Sequence, residues 1–444
     1  MRRNETVGLA PQARACTIMA PDPSASRALR IVRPRQPFQD PGRFWSPGTS
    51  SRVFSMFQSA AKKATELYEA AVAAGNAGEF DRSATLCRQA IALAPDRGHF
   101  HAELANAITL RHDYWLNPEL CARMIADGRL EEAIRAWSRA FELGHNSHWT
   151  RFCMGHALTA LGRPSEGAPH LRIATDLRVR KLRPDLPASY ETAPVRGPDF
   201  LIIGSTKCGT TSLYEYMCRH PQILPAIWKE PEYFRFPERG IDWYLGHMPR
   251  IPPGPTRYLT GEASSCYLSI WNCKSLVRAA FPDARLIALV RDPVDKAISH
   301  CHHDRKLGCE LRSVDEALNH ELDILEKIER PWCDVDDYWR TERGYVWLGL
   351  YTYLFENWLL EFPREQLLVI PSEDLWERPE PTMTRVFAHV GVNDHKFANY
   401  EVHLEGRYDK SKPEPVRERL KQYYRQHNER LFDLLGERLD WQMP

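Results

Sequence analysis

The spacing of apolar positions changes character twice along the chain. Over residues 57–179, Ala and Leu recur at helical spacing between Glu and Arg, which predicts a run of helices. Residues 180–198 carry Pro184, Pro187, Pro194 and Pro198 and read as a linker. From residue 199 short unbroken apolar runs alternate with helical stretches. Phe200-Leu-Ile-Ile203 and Ala284-Arg-Leu-Ile-Ala-Leu-Val290 suit strands buried on both faces of a parallel sheet. Glu361-Phe-Pro-Arg-Glu-Gln-Leu-Leu-Val-Ile370 reads as a helix end followed by another buried strand, and residues 416–435 as an amphipathic closing helix. The expected fold class is α/β over residues 199–444, a P-loop-like parallel sheet flanked by helices, preceded by an all-α region over 57–179.

Composition narrows the class. Lys and Arg total 59 and Asp and Glu 58, a net charge of +1, which argues against a surface built to grip nucleic acid. Apolar residues make up 43%, enough for a packed core. No run of about 18 apolar residues occurs, so no membrane-spanning helix is expected, and no apolar secretory segment follows Arg2 and Arg3. The 11 cysteines are scattered without a CxxC pair, so a zinc ribbon is not expected. Buried, reduced thiols in a cytoplasmic protein are the expectation. Residues 1–55 stand apart, with nine Arg, no Lys, three acids and seven Pro. They cannot bury much and are expected to be disordered. An organelle transit peptide, or an upstream start with Met56 as the true one, are the alternatives.

The helical stretch contains an internal repeat. Asp127-Gly-Arg-Leu-Glu-Glu-Ala133 followed by Arg139-Ala-Phe-Glu-Leu143 matches Leu161-Gly-Arg-Pro-Ser-Glu-Gly-Ala168 followed by Leu171-Arg-Ile-Ala174. Gly128 and Gly162 are 34 residues apart, and the unit resembles a tetratricopeptide repeat. An earlier copy, Ala77-Gly-Glu-Phe-Asp81 with Gln89-Ala-Ile-Ala-Leu-Ala-Pro95, is displaced by an insertion around Tyr114–Pro118. Such stacks bind peptides or partner proteins in a concave groove. The alternative is a helical cap on the next domain with no ligand of its own.

Two strand–loop–helix elements carry the candidate chemistry. Gly204-Ser-Thr-Lys-Cys-Gly-Thr-Thr-Ser212 follows the first strand and leads into Leu213-Tyr-Glu-Tyr-Met-Cys218, which is helical in character. Loop amides and a helix N-terminus in that order make an anion cradle. The glycine spacing is that of a P-loop, but Gly209-Thr210-Thr211 replaces the usual Gly-Lys-Ser/Thr ending. Lys207 lies inside the loop, and no lysine stands where ATP enzymes place theirs. A donor with a 5′-phosphate other than ATP is therefore favoured. In the second element Arg291-Asp-Pro293 ends a strand, and Ser299 lies about two helical turns further on. An Arg fork and a hydroxyl so spaced suit one phosphate.

Together these elements resemble the sulfotransferase family, especially its carbohydrate-type branch of heparan sulfate enzymes and bacterial relatives. The resemblance spans roughly residues 198–444. It is carried by Pro198–Gly204, Lys207–Thr211, Lys229-Glu-Pro-Glu-Tyr-Phe234, Gly261–Ser264 with Tyr267-Leu268, Leu289–Pro293 with Ser299, Phe362–Gln366 with Ser372–Leu375, and the ending from Arg417 to Trp441. It implies transfer of a sulfuryl group from 3′-phosphoadenylyl sulfate (PAPS), without a metal, to a hydroxyl or amine of a carbohydrate or small natural product. By the same resemblance Lys207, Cys208, Gly209, Thr210, Thr211 and Ser212 would bind the 5′-phosphosulfate, and Arg291 and Ser299 the 3′-phosphate. Lys410 and Lys412 would belong to a loop closing over the nucleotide, although Pro413-Glu414 replaces the usual Gly-Arg. Glu230 matches the catalytic carboxylate, and Lys207 would stabilise the leaving oxygen. Glu232, Glu262 and His300 are rival bases. Ala263 stands where several heparan sulfate enzymes carry lysine, which weakens the expectation of a highly sulfated acceptor.

Residues 302–347 hold Trp332, Tyr338, Trp339, Tyr345 and Trp347, which suit either an acceptor lid or a core. Two other functional classes stay open at this point. One is a nucleotide-dependent kinase; the other is a repeat-based binding protein with an inactive α/β domain.

Overall fold

The computed structural model describes residues 47–110, 118–328, 344–400 and 415–441. The expectations for the N-terminal segment before residue 47, for the insertion at Tyr114, and for Trp332, Tyr338 and Trp339 lie outside the described residues. Contacts divide the chain into Met1–Phe57 and Gln58–Pro444. The second unit holds both the helical region and the sheet.

Five parallel strands form the sheet: β1 (Phe200–Gly204), β2 (Ile223–Pro225), β3 (Leu259–Glu262), β4 (Arg285–Val290) and β5 (Leu367–Pro371), in spatial order β2-β3-β1-β4-β5. The apolar runs become strands because both faces are covered. Along β1, Phe200 and Ile202 point into one core with Ile287, Leu289 and Ile370. Leu201 and Ile203 point into the other with Leu286, Ala288, Val290 and Val369. A period of two and burial on both sides leave no room for polar alternation. The chain leaves β1 toward β2 on one side and reaches β4 on the other. Such a reversal of strand order is where α/β sheets bind ligands, outside the carboxyl ends of the strands.

Among the described residues, seven helices precede the sheet: α1 (Pro47–Asn76), α2 (Phe80–Leu93), α3 (Gly98–Ile108), α4 (Pro118–Ala126), α5 (Arg129–Glu142), α6 (His148–Ala160) and α7 (Pro164–Leu182). The two glycines spaced by 34 residues occupy equivalent turns. Gly128 (φ +64°) joins α4 to α5 and Gly162 (φ +73°) joins α6 to α7. In the second pair the helices cross at glycines as well, since a Cβ on Gly167 would lie 2.6 Å from the Gly155 carbonyl oxygen. The region is a stack of antiparallel helices.

This stack does not stand apart. Ala133, Trp137, Phe152, Leu158 and Leu171 belong to the same buried cluster as Leu201, Trp243 and Leu286. The proline-bearing connection is packed too: Tyr190 is buried with Val179, Leu186, Leu224 and Ile251, and Val195 bridges Arg250. The α7 helix leans on α9 (Ile241–Gly246), after α8 (Thr210–Cys218). Tyr345 and Trp347 are core residues, 1% and 3% exposed.

Candidate functional site

Each strand delivers a different group to the carboxyl rim of the sheet. The turn after β1 is the glycine loop. Gly209 (φ +86°) caps α8 in the left-handed region that glycine tolerates best. A Cβ at Gly209 would lie 3.5 Å from the Trp376 indole nitrogen, an ordinary contact, so the left-handed backbone and not space is what favours glycine. Lys207 is also left-handed (φ +67°), and is half-buried. Burial, and then the Arg291 guanidinium, lower its pKa from the ordinary lysine value. Two cations so close, one of them desolvated, form a site that an anion would stabilise.

Arg291 follows β4. Asp292 turns the chain directly into α11 (Pro293–Lys306), while α10 (Cys273–Ala280) lies before β4. The Asp292 carboxylate accepts from the amides of Val294 (2.9 Å) and Asp295 (3.2 Å), and Pro293 takes the first helical position. The Arg-Asp-Pro run is thus a strand end, an N-cap and a helix start in consecutive residues. The Arg291 guanidinium sits 5.3 Å from the Trp376 ring and 4.0 Å from the Asp295 carboxylate, which also pairs with Arg417 at 2.7 Å. Ser299 is buried on α11.

Two side chains stitch the glycine loop to the Arg291 turn. The Tyr351 hydroxyl lies 3.6 Å from the Cys208 sulfur, donates to the Arg291 carbonyl at 3.1 Å and accepts from its amide at 3.3 Å. The Ser372 hydroxyl, just after β5, lies 2.7 Å from the Cys208 carbonyl oxygen and 3.0 Å from that of Val290. The amide of Ser205 donates to Leu289 at 2.8 Å. The glycine loop and the Arg291 turn are therefore joined by bonded backbone on adjacent strands. Cys208 is fully buried, and burial raises its thiol pKa. It packs the loop from below. Thr210 and Ser212 are buried at the start of α8, while Thr211 and Lys207 reach partway to solvent.

On the other side of β1, the segment after β2 carries Glu230. Its carboxylate pairs with Lys229, and the Lys229 carbonyl accepts from the Ala263 amide at 2.9 Å, at the end of β3. Glu230 keeps 35% of its side chain exposed. Glu232 pairs with Arg235 at 3.2 Å, and its amide donates to the Ser264 hydroxyl at 3.2 Å. Glu262 is fully enclosed, with the Tyr244 hydroxyl 3.4 Å from one oxygen. Burial pushes its pKa up to about 8, with the Glu230 charge adding to the effect and Ser264 and Tyr267 opposing it. His300, on α11, packs edge-on against Tyr345 and lies 4.0 Å from Asp304.

From one end of the sheet to the other, the rim thus presents Glu230, Glu262, the glycine loop, Arg291 and Trp376. Strands lie about 4.8 Å apart. The order of groups gives a carboxylate on one side of the cradle and a guanidinium on the other. Lys207 and Arg291 are brought together; Glu230 follows β2, on the other side of β1 from Arg291; Ser299 and Arg291 share no hydrogen bond. Lys410 and Lys412 lie outside the described residues. Sequence reasoning missed Tyr351, whose role is visible only through contacts 60 or more positions distant.

Glu262 gives a stability test. Its folded pKa exceeds the unfolded one, so its contribution is fully present below the usual carboxylate range and is lost as pH rises through about 8. Glu262→Gln is expected to melt close to the parent near about pH 5 and above it beyond about pH 8. A parallel pH dependence of Tm in the two proteins would contradict a protonated Glu262.

The sulfotransferase domain family matches residues 197–441. Heparan sulfate glucosamine 3-O-sulfotransferase 6 of Mus musculus is 29% identical over 292 residues, covering 60% of this chain and 80% of the relative. The membrane-associated sulfotransferase kil1 of Dictyostelium discoideum is 24% identical over 323 residues, 56% of this chain and 68% of the relative. A solved sulfotransferase from Alicyclobacillus acidocaldarius, 27% identical, covers 55% of this chain and 98% of its own, with a TM-score of 0.44. These relatives correct the cytoplasmic expectation: one of them is membrane-associated by name. That expectation rested on unpaired cysteines. Cys87, Cys153, Cys208, Cys273 and Cys301 are buried packing residues, a use that any compartment allows. Among the described residues no helix is long and apolar enough to cross a membrane.

Proposed function

The chain belongs to the sulfotransferase domain family, and on that premise we propose how its rim residues divide the reaction. It is a sulfotransferase that uses PAPS. The glycine loop, Lys207 to Ser212, receives the 5′-phosphosulfate against the loop amides and the start of α8. Arg291, with Ser299 on the helix behind it, takes the 3′-phosphate. The acceptor enters over β2 and β3, beside Glu230. There the Glu230 carboxylate takes the acceptor hydroxyl proton as the oxygen attacks sulfur. The new O–S bond forms while the bond from sulfur to the bridging phosphate oxygen breaks. Lys207 meets the charge that appears on that oxygen.

The observation that carries this reading is the hydrogen-bonded junction of the Lys207 loop and the Arg291 turn through Tyr351 and Ser372. Opposite ends of one bisphosphorylated nucleoside need two anion sites at a fixed separation. The acceptor proposed is a carbohydrate hydroxyl, as in the glucosamine-modifying relative. Lys410 and Lys412 are proposed to close on the nucleotide, and the paired helices before the sheet to be tetratricopeptide-like.

Thermal unfolding with 3′,5′-ADP, ATP or neither tests the nucleotide site. Stabilisation by 3′,5′-ADP is expected, and a ligand at about 100 times its Kd adds roughly 2.7 kcal/mol. An equal response to ATP would favour the kinase reading and overturn this one.

A further inference from the structure

The helical stack lies before the residues that match the family, yet it reaches the backbone of the Glu230 segment. Beyond β2, Ala226 and Ile227 are buried, and Trp228, Lys229 and Glu230 follow directly. The amide of Ala226 donates to the Tyr214 hydroxyl at 3.0 Å, and the amide of Ile227 to the His247 carbonyl at 2.9 Å. Their two carbonyls face Arg178 on α7, whose guanidinium donates to the Ile227 oxygen and lies 3.4 Å from that of Ala226. The next residue, Trp228, packs on Phe152 of α6 with ring centroids 5.4 Å apart. The Ala263 amide then holds the Lys229 carbonyl from the sheet side. The segment before Glu230 is thus clamped, with α6 and α7 on one flank and the end of β3 on the other.

The same helix fixes the neighbouring chain. Thr175 donates to the Gly246 carbonyl at 2.7 Å, and Arg172 to the carbonyls of Leu245 and Met248. The Trp243 indole donates to Thr159 of α6 at 2.7 Å. A short loop held only by its own turns would let the carboxylate wander. One charged guanidinium nitrogen reaching two successive carbonyls removes that freedom, because the planar group fixes the directions of its N–H bonds.

We propose that Arg178 is a positioning residue for Glu230, so that the helical stack is a working part of the catalytic unit. Arg178 touches neither donor nor acceptor; it acts through the main chain of residues 226 and 227. This rests on Glu230 being the base, and its test separates the two ideas.

Turnover is measured with labelled PAPS and heparan sulfate for the parent, Arg178→Ala, Glu230→Gln and the double variant. Misplacing a reacting group by about 1 Å costs on the order of 100-fold. Arg178→Ala is therefore expected to lower kcat by roughly 10- to 100-fold, with the KM for PAPS and stabilisation by 3′,5′-ADP unchanged. In the Glu230→Gln background the same change should add little, since the two residues act as one unit. Multiplicative losses would overturn the proposal. Full activity of Glu230→Gln would instead overturn the assignment of the base. Hydrogen exchange of the full chain with 3′,5′-ADP gives a readout that needs no acceptor: the amides of residues 226–230 should exchange faster in Arg178→Ala while the glycine loop keeps its protection. Unchanged exchange there would also overturn the proposal. Should Arg178→Ala not fold, Arg178→Lys, which keeps the charge and loses the planar guanidinium, is judged by the same exchange. Arg88→Ala, which removes only an exposed pair with Glu132, is expected to leave rate and exchange alone.

Discussion

Glu230→Gln is expected to lower kcat by about 10²- to 10⁴-fold, the span a positioned general base contributes, while 3′,5′-ADP stabilises the variant as well as the parent. The amide matches the carboxylate in shape and keeps its place next to Lys229, but it cannot accept the acceptor proton. The groups proposed to hold the nucleotide lie on the β1–β4 side of the rim and the Glu230 segment on the β2–β3 side, so the loss should fall on kcat and spare the KM for PAPS. The rival carboxylates differ from Glu230 in burial and in partner. Glu262 is fully enclosed, and burial favours its neutral form. Glu232 is drawn to Arg235. Glu232→Gln should therefore fall short of Glu230→Gln by at least an order of magnitude, about 10-fold. A kcat for Glu230→Gln within about threefold of the parent would remove Glu230 from the mechanism.

The parts of this site that could be read from the sequence are those whose physics is local. A strand, a loop with glycine at 204 and 209, and a helix specify an anion cradle within thirteen consecutive positions, 200–212. Arg291-Asp-Pro293 reads the same way, because the cap and the helix start follow from the residue types themselves. The joining of the two elements was not legible. It depends on Tyr351 and Ser372, which come from separate helices far along the chain and carry no motif that points to Cys208 or Val290.

The helical region shows the same limit from the other side. Its period and its turns at Gly128 and Gly162 are local facts, and the helices form where the pattern places them. Composition and prolines mark residues 180–198 as a linker, and leave open whether the stack is a partner-binding repeat or a helical cap on the next domain. The structure runs one buried cluster from the stack into the sheet. Helix periodicity says which face is apolar but not what covers it, and here part of the cover is the catalytic domain. Ala263 is a further case. Its side chain is buried and its amide holds Lys229, so the position serves the Glu230 segment through backbone whatever its side chain does for the acceptor.

Lys207→Ala carries the second large effect. Electrostatic stabilisation of a developing oxyanion is worth roughly 3–4 kcal/mol per donor, or about 10²- to 10³-fold in kcat. Lys207 stands in the turn of the cradle, partly desolvated and beside Arg291. Water screens its charge less there than at the surface, which strengthens the action on the leaving phosphate oxygen proposed for the ammonium. The same surroundings set the pH dependence. In the free enzyme, burial and then Arg291 lower the Lys207 pKa, so the charged form is lost at a lower pH than for an ordinary lysine. The alkaline limb of kcat/KM for PAPS should accordingly begin below the usual lysine range. A bound phosphosulfate reverses the balance of charge, and the limb of kcat should lie higher. Lys207→Ala should abolish both limbs along with most of the rate. Lys207→Arg keeps a charge, but its planar fork replaces a compact ammonium in a tight left-handed turn, and it is expected to recover only part of the loss. An unchanged alkaline limb in Lys207→Ala would show that another group carries that titration, and a kcat near the parent's would move the leaving-group role to Arg291 or to the loop amides.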